Sequence, residues 1–264
     1  MSVVVPVPSY PSVVAALRAA GCVFAEDEAR LLLAAPGTPA ELASMVERRV
    51  AGLPLEQILG WAEFCGLRIA LDPGVFVPRR RTEFLVGRAA ALVGACPHAV
   101  VLDLCCGSGA VATALAAVLD RPQVHAADID PAAVRCARRN LPEPARVYEG
   151  DLFDPLPGDL AGRIDLLVAN APYVPTEEIG FLPPEARLYE PRVALDGGAD
   201  GLDIQRRVTE AAAGWLAPGG RLLIETSERQ APSTVEAFAR NGLDAEVVAD
   251  EELDATVVIG TRAA

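Results

Sequence analysis

At 264 residues the chain is long enough for one large domain, or for a core domain with a small companion, and an apolar content of 52% supplies a buried core. The net charge is −13 and every basic side chain is an arginine, which argues against a surface built to bind nucleic-acid phosphates but leaves room for a protein partner with a basic patch. Six cysteines without a C-x-x-C pair read as reduced thiols of a cytoplasmic protein, and two histidines, His98 and His125, argue against a histidine base or a histidine-rich metal site.

The segment Met1 to Pro8 is apolar but has no basic start and is broken by Pro6 and Pro8, so neither a signal peptide nor a membrane span is expected. Val13, Val14, Leu17 and Ala20 have helical spacing, and a second helical run from Glu26 to Ala35 ends at Pro36-Gly37. Thr38-Pro39-Ala40-Glu41 is a capping-box pattern with proline at the first helical position, starting a third helix to about Val50. Residues 1–60 thus read as a small helical domain. From Phe64 to Val77 two extended runs flank Asp72-Pro73-Gly74, which predicts a hairpin turning there, in a linker over 61–80. Thr82-Glu83 opens a helix to Val93.

Strand and helix then alternate through the rest of the chain, 81–264. Strands are expected at 99–103, 124–128, 146–149, 164–169, 221–226, 245–249 and 256–260, and helices at 109–119, 131–140, 203–216 and 233–241. Helical crossovers imply a parallel, Rossmann-like α/β sheet of seven strands. The last two strands are joined only by the acidic stretch Asp250 to Asp254, too short for a crossover, so the final strand is expected antiparallel.

Two motifs carry chemistry. Gly107-Ser108-Gly109-Ala110-Val111-Ala112 fits G-x-G-x-x-G/A, with Asp128 about twenty residues on at a strand end. Alone this fits a nicotinamide enzyme and an S-adenosylmethionine (AdoMet) enzyme equally. Asp103 favours AdoMet, because a carboxylate at the end of the first strand attracts a cationic amino-acid tail and repels a pyrophosphate. Asp151, after the third strand, suits an adenine amino group, and the antiparallel ending is unusual for a nicotinamide domain. The second motif is Asn170-Ala171-Pro172-Tyr173 after the apolar run Ile164 to Ala169. An asparagine amide offers a donor and an acceptor. Pro172 holds Ala171 extended, which aims its carbonyl, and Tyr173 adds a flat face.

These residues resemble the HemK/PrmC protein-(glutamine-N5) methyltransferases along most of the chain. Phe76-Val77-Pro78-Arg79-Arg80-Arg81-Thr82-Glu83 is similar to that family's F-x-P-R-x-x-T-E segment, Asp103 to Gly109 to its AdoMet loop, and Asn170 to Tyr173 to its N-P-P-Y. Glu190-Pro191-Arg192, Ala194 to Gly198 and Asp200-Gly201-Leu202 resemble the segment that follows. The resemblance implies a class I AdoMet-dependent methyltransferase fold with an N-terminal helical substrate-recognition domain. It implies cofactor contacts from Asp103, Cys105, Gly107, Gly109, Asp128, Ile129, Asp151, Leu152 and Asn170. Catalytic positions would be Asn170, Ala171, Pro172 and Tyr173. Arg79, Glu83, Asn170, Tyr173, Glu190 and Arg192 would face the substrate, the Gly-Gly-Gln glutamine of a translation release factor.

Two positions depart from the family. Cys105 stands where a glycine is usual, which requires a negative φ at 105 if its side chain is to be tolerated. Ala171 replaces the first proline of N-P-P-Y, which keeps the carbonyl but changes the wall beside the acceptor and opens a branch with another protein target. Two further readings remain at this point: methylation of a nucleobase amino group, against which the acidic charge counts, and an AdoMet-binding protein without chemistry, against which Asn170 and Tyr173 count.

Overall fold

A computed structural model describes residues 9–35, 37–94 and 96–264. The apolar segment Met1 to Pro8 and the helix-stopping Pro36 lie outside the described residues. The chain starts with α1 (Tyr10–Ala19), α2 (Ala25–Ala34), α3 (Pro39–Val50) and a short α4 (Leu55–Leu59). Thr38 accepts the Glu41 N–H, and the Glu41 carboxylate takes the Thr38 N–H at 2.6 Å, which is the expected capping box, worth about 1 kcal/mol. Val13, Leu17, Ala29, Leu32, Leu55 and Ile58 close a small core of their own. The sequence reading missed α4, which is one turn long and ends at Gly60 in the left-handed region.

The hairpin is present, but it turns elsewhere. Strands β1 (Trp61–Phe64) and β2 (Leu67–Ala70) pair antiparallel around Cys65 and Gly66, both with positive φ. Asp72-Pro73-Gly74 makes the next bend, closed by the Val75 N–H to the Asp72 carbonyl. A proline–glycine signal marks a turn without saying which strands it joins. The hairpin is stitched to the larger domain: Phe64 and Ile69 enter its core, and Asn140 bonds the Ala70 N–H and carbonyl.

The remaining elements are α5 (Thr82–Val93), β3 (Val100–Leu104), α6 (Ala110–Val118), β4 (Gln123–Asp128), α7 (Pro131–Asn140), β5 (Arg146–Glu149), β6 (Ile164–Ala169), α8 (Pro184–Tyr189), α9 (Asp203–Trp215), β7 (Leu216–Thr226), α10 (Ala231–Arg240), β8 (Leu243–Asp250) and β9 (Ala255–Arg262). The seven strands run in the order β5-β4-β3-β6-β7-β9-β8. All neighbours are parallel except β9, which is antiparallel to both β7 and β8, as the short Asp250–Asp254 connection requires. Val208, Ala212 and Phe238 of α9 and α10 cover one face, and Leu85, Ala89, Val111 and Leu115 of α5 and α6 cover the other. β7 begins five residues earlier than expected, because Pro218-Gly219-Gly220 is not a loop but an irregular stretch where the β6–β7 register shifts. A Cβ on Gly220 would lie 2.6 Å from the Ile164 carbonyl, so the strands approach this closely only at a glycine.

Strand order reverses between β3 and β6, the place where an open α/β sheet holds ligands beyond its carboxyl ends. Both sequence motifs fall there.

Candidate active site

A cavity of about 510 Å³ opens over the carboxyl ends of β3, β4 and β6. The loop after β3 forms one end and Asn170 to Tyr173 the other, so the two motifs share one continuous pocket. Asp103, near the end of β3, is 2% exposed and accepts the Ala112 N–H of α6 at 3.0 Å. It thereby satisfies the first turn of α6, which Gly109 leaves uncapped. Burial pushes the Asp103 carboxyl up to about 8, against the helix N–H bond that favours its charge. Asp128 receives the Gly107 N–H at 2.8 Å and the Asp130 N–H at 2.9 Å, so one side chain ties the glycine loop to the start of α7. Burial raises its pKa as well.

Gly107 and Gly109 have φ of +54° and +75°. A Cβ on Gly107 would meet nothing within 4 Å, whereas one on Gly109 would come within 3.0 Å of the Ala137 Cβ; the first faces open space, the second packs on α7. Cys105 is a correction. Its φ is +56°, in the left-handed region, not negative as its side chain was expected to demand. Leu152, in the loop after β5, shares this conformation at +48°. Both line the cavity. Two strained non-glycine residues around one pocket are typical of a site over-determined by its surroundings. Burial beside Asp128 and Asp103 pushes the Cys105 thiol well up, and Cys106 likewise, so both stay protonated. Ile129 is half exposed at the cavity rim, and Asp151 lies there in an ion pair with Arg207 of α9 at 2.8 Å.

At the other end, Asn170 Nδ2 donates to Thr82 Oγ1 at 3.2 Å, while Oδ1 takes no protein donor among the described residues. The Tyr173 hydroxyl bonds the Arg81 guanidinium, which also reaches Glu225 of β7 at 3.2 Å. Ala171 and Pro172 are buried and line the wall between. Arg79 and Glu190 meet through both carboxylate oxygens at 2.6 and 2.5 Å, and Glu190 also takes the Val77 N–H. Burial raises the Glu190 carboxyl, with Arg79 opposing.

The structure therefore gathers Asp103, Cys105, Gly107, Asp128, Ile129, Asp151, Leu152, Asn170 to Tyr173, Arg79 and Glu190 around one cavity. It does not bring Gly109, Glu83 or Arg192 there: Gly109 packs against Ala137 of α7. Glu83 receives the Cys65 N–H at 2.9 Å and anchors the hairpin turn. Arg192 pairs with Asp196 on the surface. Sequence reading missed Arg81, Thr82 and Arg207 as site residues, and Glu225 as the buried partner of Arg81. Arg81 is one of three successive arginines with nothing to single it out. Glu225 did carry a signal, a lone carboxylate inside the apolar strand run Leu222 to Thr226.

The donor set suits AdoMet. Asp103 and Asp128 offer acceptors to cationic and hydroxyl groups, Gly107 gives room for close approach, and Ala110, Val111, Leu152 and Ile204 supply apolar walls. Among the described residues no cluster of His, Cys, Asp and Glu could hold a metal ion, and no helix is long and apolar enough to cross a membrane.

Strand order and site together define a class I methyltransferase. The Methyltransferase small domain family matches residues 66–181. A release factor glutamine methyltransferase of Geobacter sulfurreducens is 46% identical over 214 residues, covering 78% of this chain and 73% of the relative. A Streptomyces pristinaespiralis protein, 4-amino-L-phenylalanine/4-methylamino-L-phenylalanine methyltransferase, is 38% identical over 86% of this chain and 78% of its own. The solved structure of a methyltransferase from Pyrococcus furiosus shares the fold with a TM-score of 0.57 at 16% identity, over 84% of this chain and 98% of that one. The chain belongs to the release factor glutamine methyltransferase family.

Proposed function

We propose that the protein transfers a methyl group from AdoMet to the side-chain amide nitrogen of a glutamine in a protein, the Gly-Gly-Gln glutamine of a translation release factor. The observation that carries this is the pocket running from Asp103 and Asp128 to Asn170, with the Asn170 oxygen left unpaired at its far end. AdoMet, when bound, supplies an electrophilic methyl on a sulfonium. Asp103 would hold its amino-acid tail, Asp128 the ribose hydroxyls and Asp151 the adenine edge.

An amide nitrogen is a poor nucleophile because its lone pair is delocalised into the carbonyl. Asn170 Oδ1 and the Ala171 carbonyl accept its two N–H bonds, which fixes the nitrogen along the line of transfer and stabilises positive charge growing on it. Orientation of two bound reactants supplies on the order of 7–11 kcal/mol. One electrostatic contact at the reacting atom adds about 3 kcal/mol. No strong base is needed before transfer, in keeping with a pocket lined by no histidine. Glutamate is rejected, because its carboxylate brings no protons to those two acceptors. Tyr173 packs as the flat wall, held by Arg81.

The three-part organisation fits this reading: a helical substrate-recognition domain over 1–60, a hairpin linker over 61–80 and the methyltransferase domain over 81–264. Pro54 and Glu56, from the first part, reach the cavity mouth. A second reading, a small molecule bearing an arylamine, is favoured by the Streptomyces relative, since two fixed acceptors hold any flat nitrogen with two protons.

The test is Asn170→Ala. AdoMet affinity by calorimetry is expected to stay within a few-fold, while turnover on unmethylated release factor falls more than tenfold. Equal loss of both would undo the role given to Asn170.

A further inference from the structure

Two arginines line the acceptor end of the cavity, and each is matched by a carboxylate that solvent hardly reaches. Arg79 meets both carboxylate oxygens of Glu190, and Arg81 gives its Nε to Glu225 Oε1 at 3.2 Å. The two arginine side chains are 30% and 39% exposed, and the two carboxylates 1% each. Arg81 also donates to the Tyr173 hydroxyl, and its guanidinium carbon lies 5.9 Å from the centre of that ring. Glu225 Oε2 has no partner within hydrogen-bond distance among the described residues. Burial raises the Glu225 carboxyl, and the Arg81 guanidinium opposes this. A buried ion pair repays its desolvation only when its geometry is good and the remaining lone pairs are satisfied, so this pair is a poor device for stability. Its use lies in the charge itself.

We propose that Glu225 cancels the charge of Arg81, so that Arg81 can hold Tyr173 at the acceptor end without opposing the cationic cofactor or the positive charge that moves onto the acceptor nitrogen. The proposal rests on the reading of the cavity as an AdoMet site. AdoMet brings a sulfonium charge, and the amide it meets is neutral. A bare guanidinium at one end of a pocket with apolar walls acts across that pocket, because charges there interact more strongly than in water. As the methyl leaves sulfur for nitrogen, the positive charge moves toward the end where Arg81 stands, so the repulsion grows along the reaction. The Arg79–Glu190 pair is built the same way, and the four charges sum to zero. Glu225 does not line the cavity; it acts through Arg81 and is a positioning residue.

The experiment compares AdoMet with S-adenosylhomocysteine, which lacks the methyl group and the sulfonium charge, by calorimetry on each variant. The ratio of the two affinities reads charge apart from fit. Glu225→Gln is expected to weaken AdoMet at least threefold relative to S-adenosylhomocysteine, and to lower kcat on unmethylated release factor at least tenfold. Arg81→Lys, which keeps the charge pair, is expected to hold the wild-type ratio within 1.5-fold. Arg81→Gln/Glu225→Gln has lost the ion pair but has no net charge, and its ratio is expected to return to within 1.5-fold of wild type. A double variant shifted as far as Glu225→Gln would overturn the proposal, because the lost structure, and not the bare charge, would then be the cause. An unchanged ratio in Glu225→Gln would overturn it too. Should Glu225→Gln fail to fold, Glu190→Gln carries the same test: it bares Arg79 and is expected to shift the ratio in the same direction, and an unchanged ratio would overturn the charge account. Wild-type protein that binds both ligands separates these outcomes from a failure of the AdoMet reading; binding of neither would remove that reading and the proposal with it.

Discussion

Burial works against a charge on Asp103. The folded carboxyl, raised to about 8, holds a proton that an ordinary carboxyl at 3.8 has released. Its contribution to stability is therefore fullest below the ordinary value and is lost as pH rises toward 8. Binding runs the other way, because a cationic tail needs the carboxylate. AdoMet binding must expel the proton, so affinity is expected to rise between pH 5.5 and 7, approaching tenfold per unit, and the slope to vanish in Asp103→Asn. Calorimetry across that range checks it; an equal slope in the variant would remove Asp103 from the tail site. Asp103, Asp128 and Asn170 were legible in the sequence because each is a polar residue ending an apolar run. The left-handed φ of Cys105 was not, since residue type argues against it and only the surrounding fold imposes it. Arg81 and Arg207 were hidden for another reason: their partners, Tyr173 and Asp151, lie 92 and 56 positions away in the chain.

At the scale of elements, the loop from Val174 to Leu202 decides where Tyr173 sits. It is built of short helical turns, α8 among them, and is held by single contacts. Gln230 donates to the Tyr173 and Asp200 carbonyls at 2.9 and 3.0 Å, and Gly197 bonds the Val174 carbonyl. Gly201 is wedged into this junction at φ +80°; a Cβ there would lie 2.3 Å from the Tyr173 carbonyl and 2.4 Å from Gln230 Nε2. Gly201→Ala is expected to push the acceptor wall outward, lowering turnover at least tenfold with AdoMet affinity within a few-fold and costing about 1–3 kcal/mol of stability by denaturant titration. Wild-type turnover would show that the loop does not set the acceptor geometry. This loop was opaque to sequence reading, because neither helical nor alternating periodicity runs through it. The sheet strands were legible, since a buried strand writes itself as an apolar run such as Ile164 to Ala169. The hairpin turn at Cys65-Gly66 was not, because the stronger turn signal, Asp72-Pro73-Gly74, sits eight residues on.

Across the whole molecule, the helical part and the methyltransferase part are joined at the pocket mouth. Arg49, buried, pairs with Glu28 at 2.5 Å and with Glu185 of α8 at 2.7 Å. Gln57 donates to the Tyr189 carbonyl, and the Tyr189 hydroxyl to Ala51. The helical part and the segment that carries α8 are thus tied together by side-chain contacts. The architecture, a helical domain before a seven-stranded sheet ending antiparallel, was legible from the alternation of elements and one short connection. The link between its parts was not, because Arg49 and Glu185 are 136 positions apart and each is an ordinary helix-surface charge in sequence. Everything at the far end of the pocket turns on the identity of the methyl acceptor. Its most direct measurement is incubation of the protein with isotopically labelled AdoMet and unmethylated release factor, alongside 4-amino-L-phenylalanine, followed by mass spectrometric mapping. The expected result is label on the Gly-Gly-Gln glutamine, which would make Ala171 a tolerated variation. Label only on the arylamine, or none while AdoMet binding is confirmed in the same sample, would contradict it.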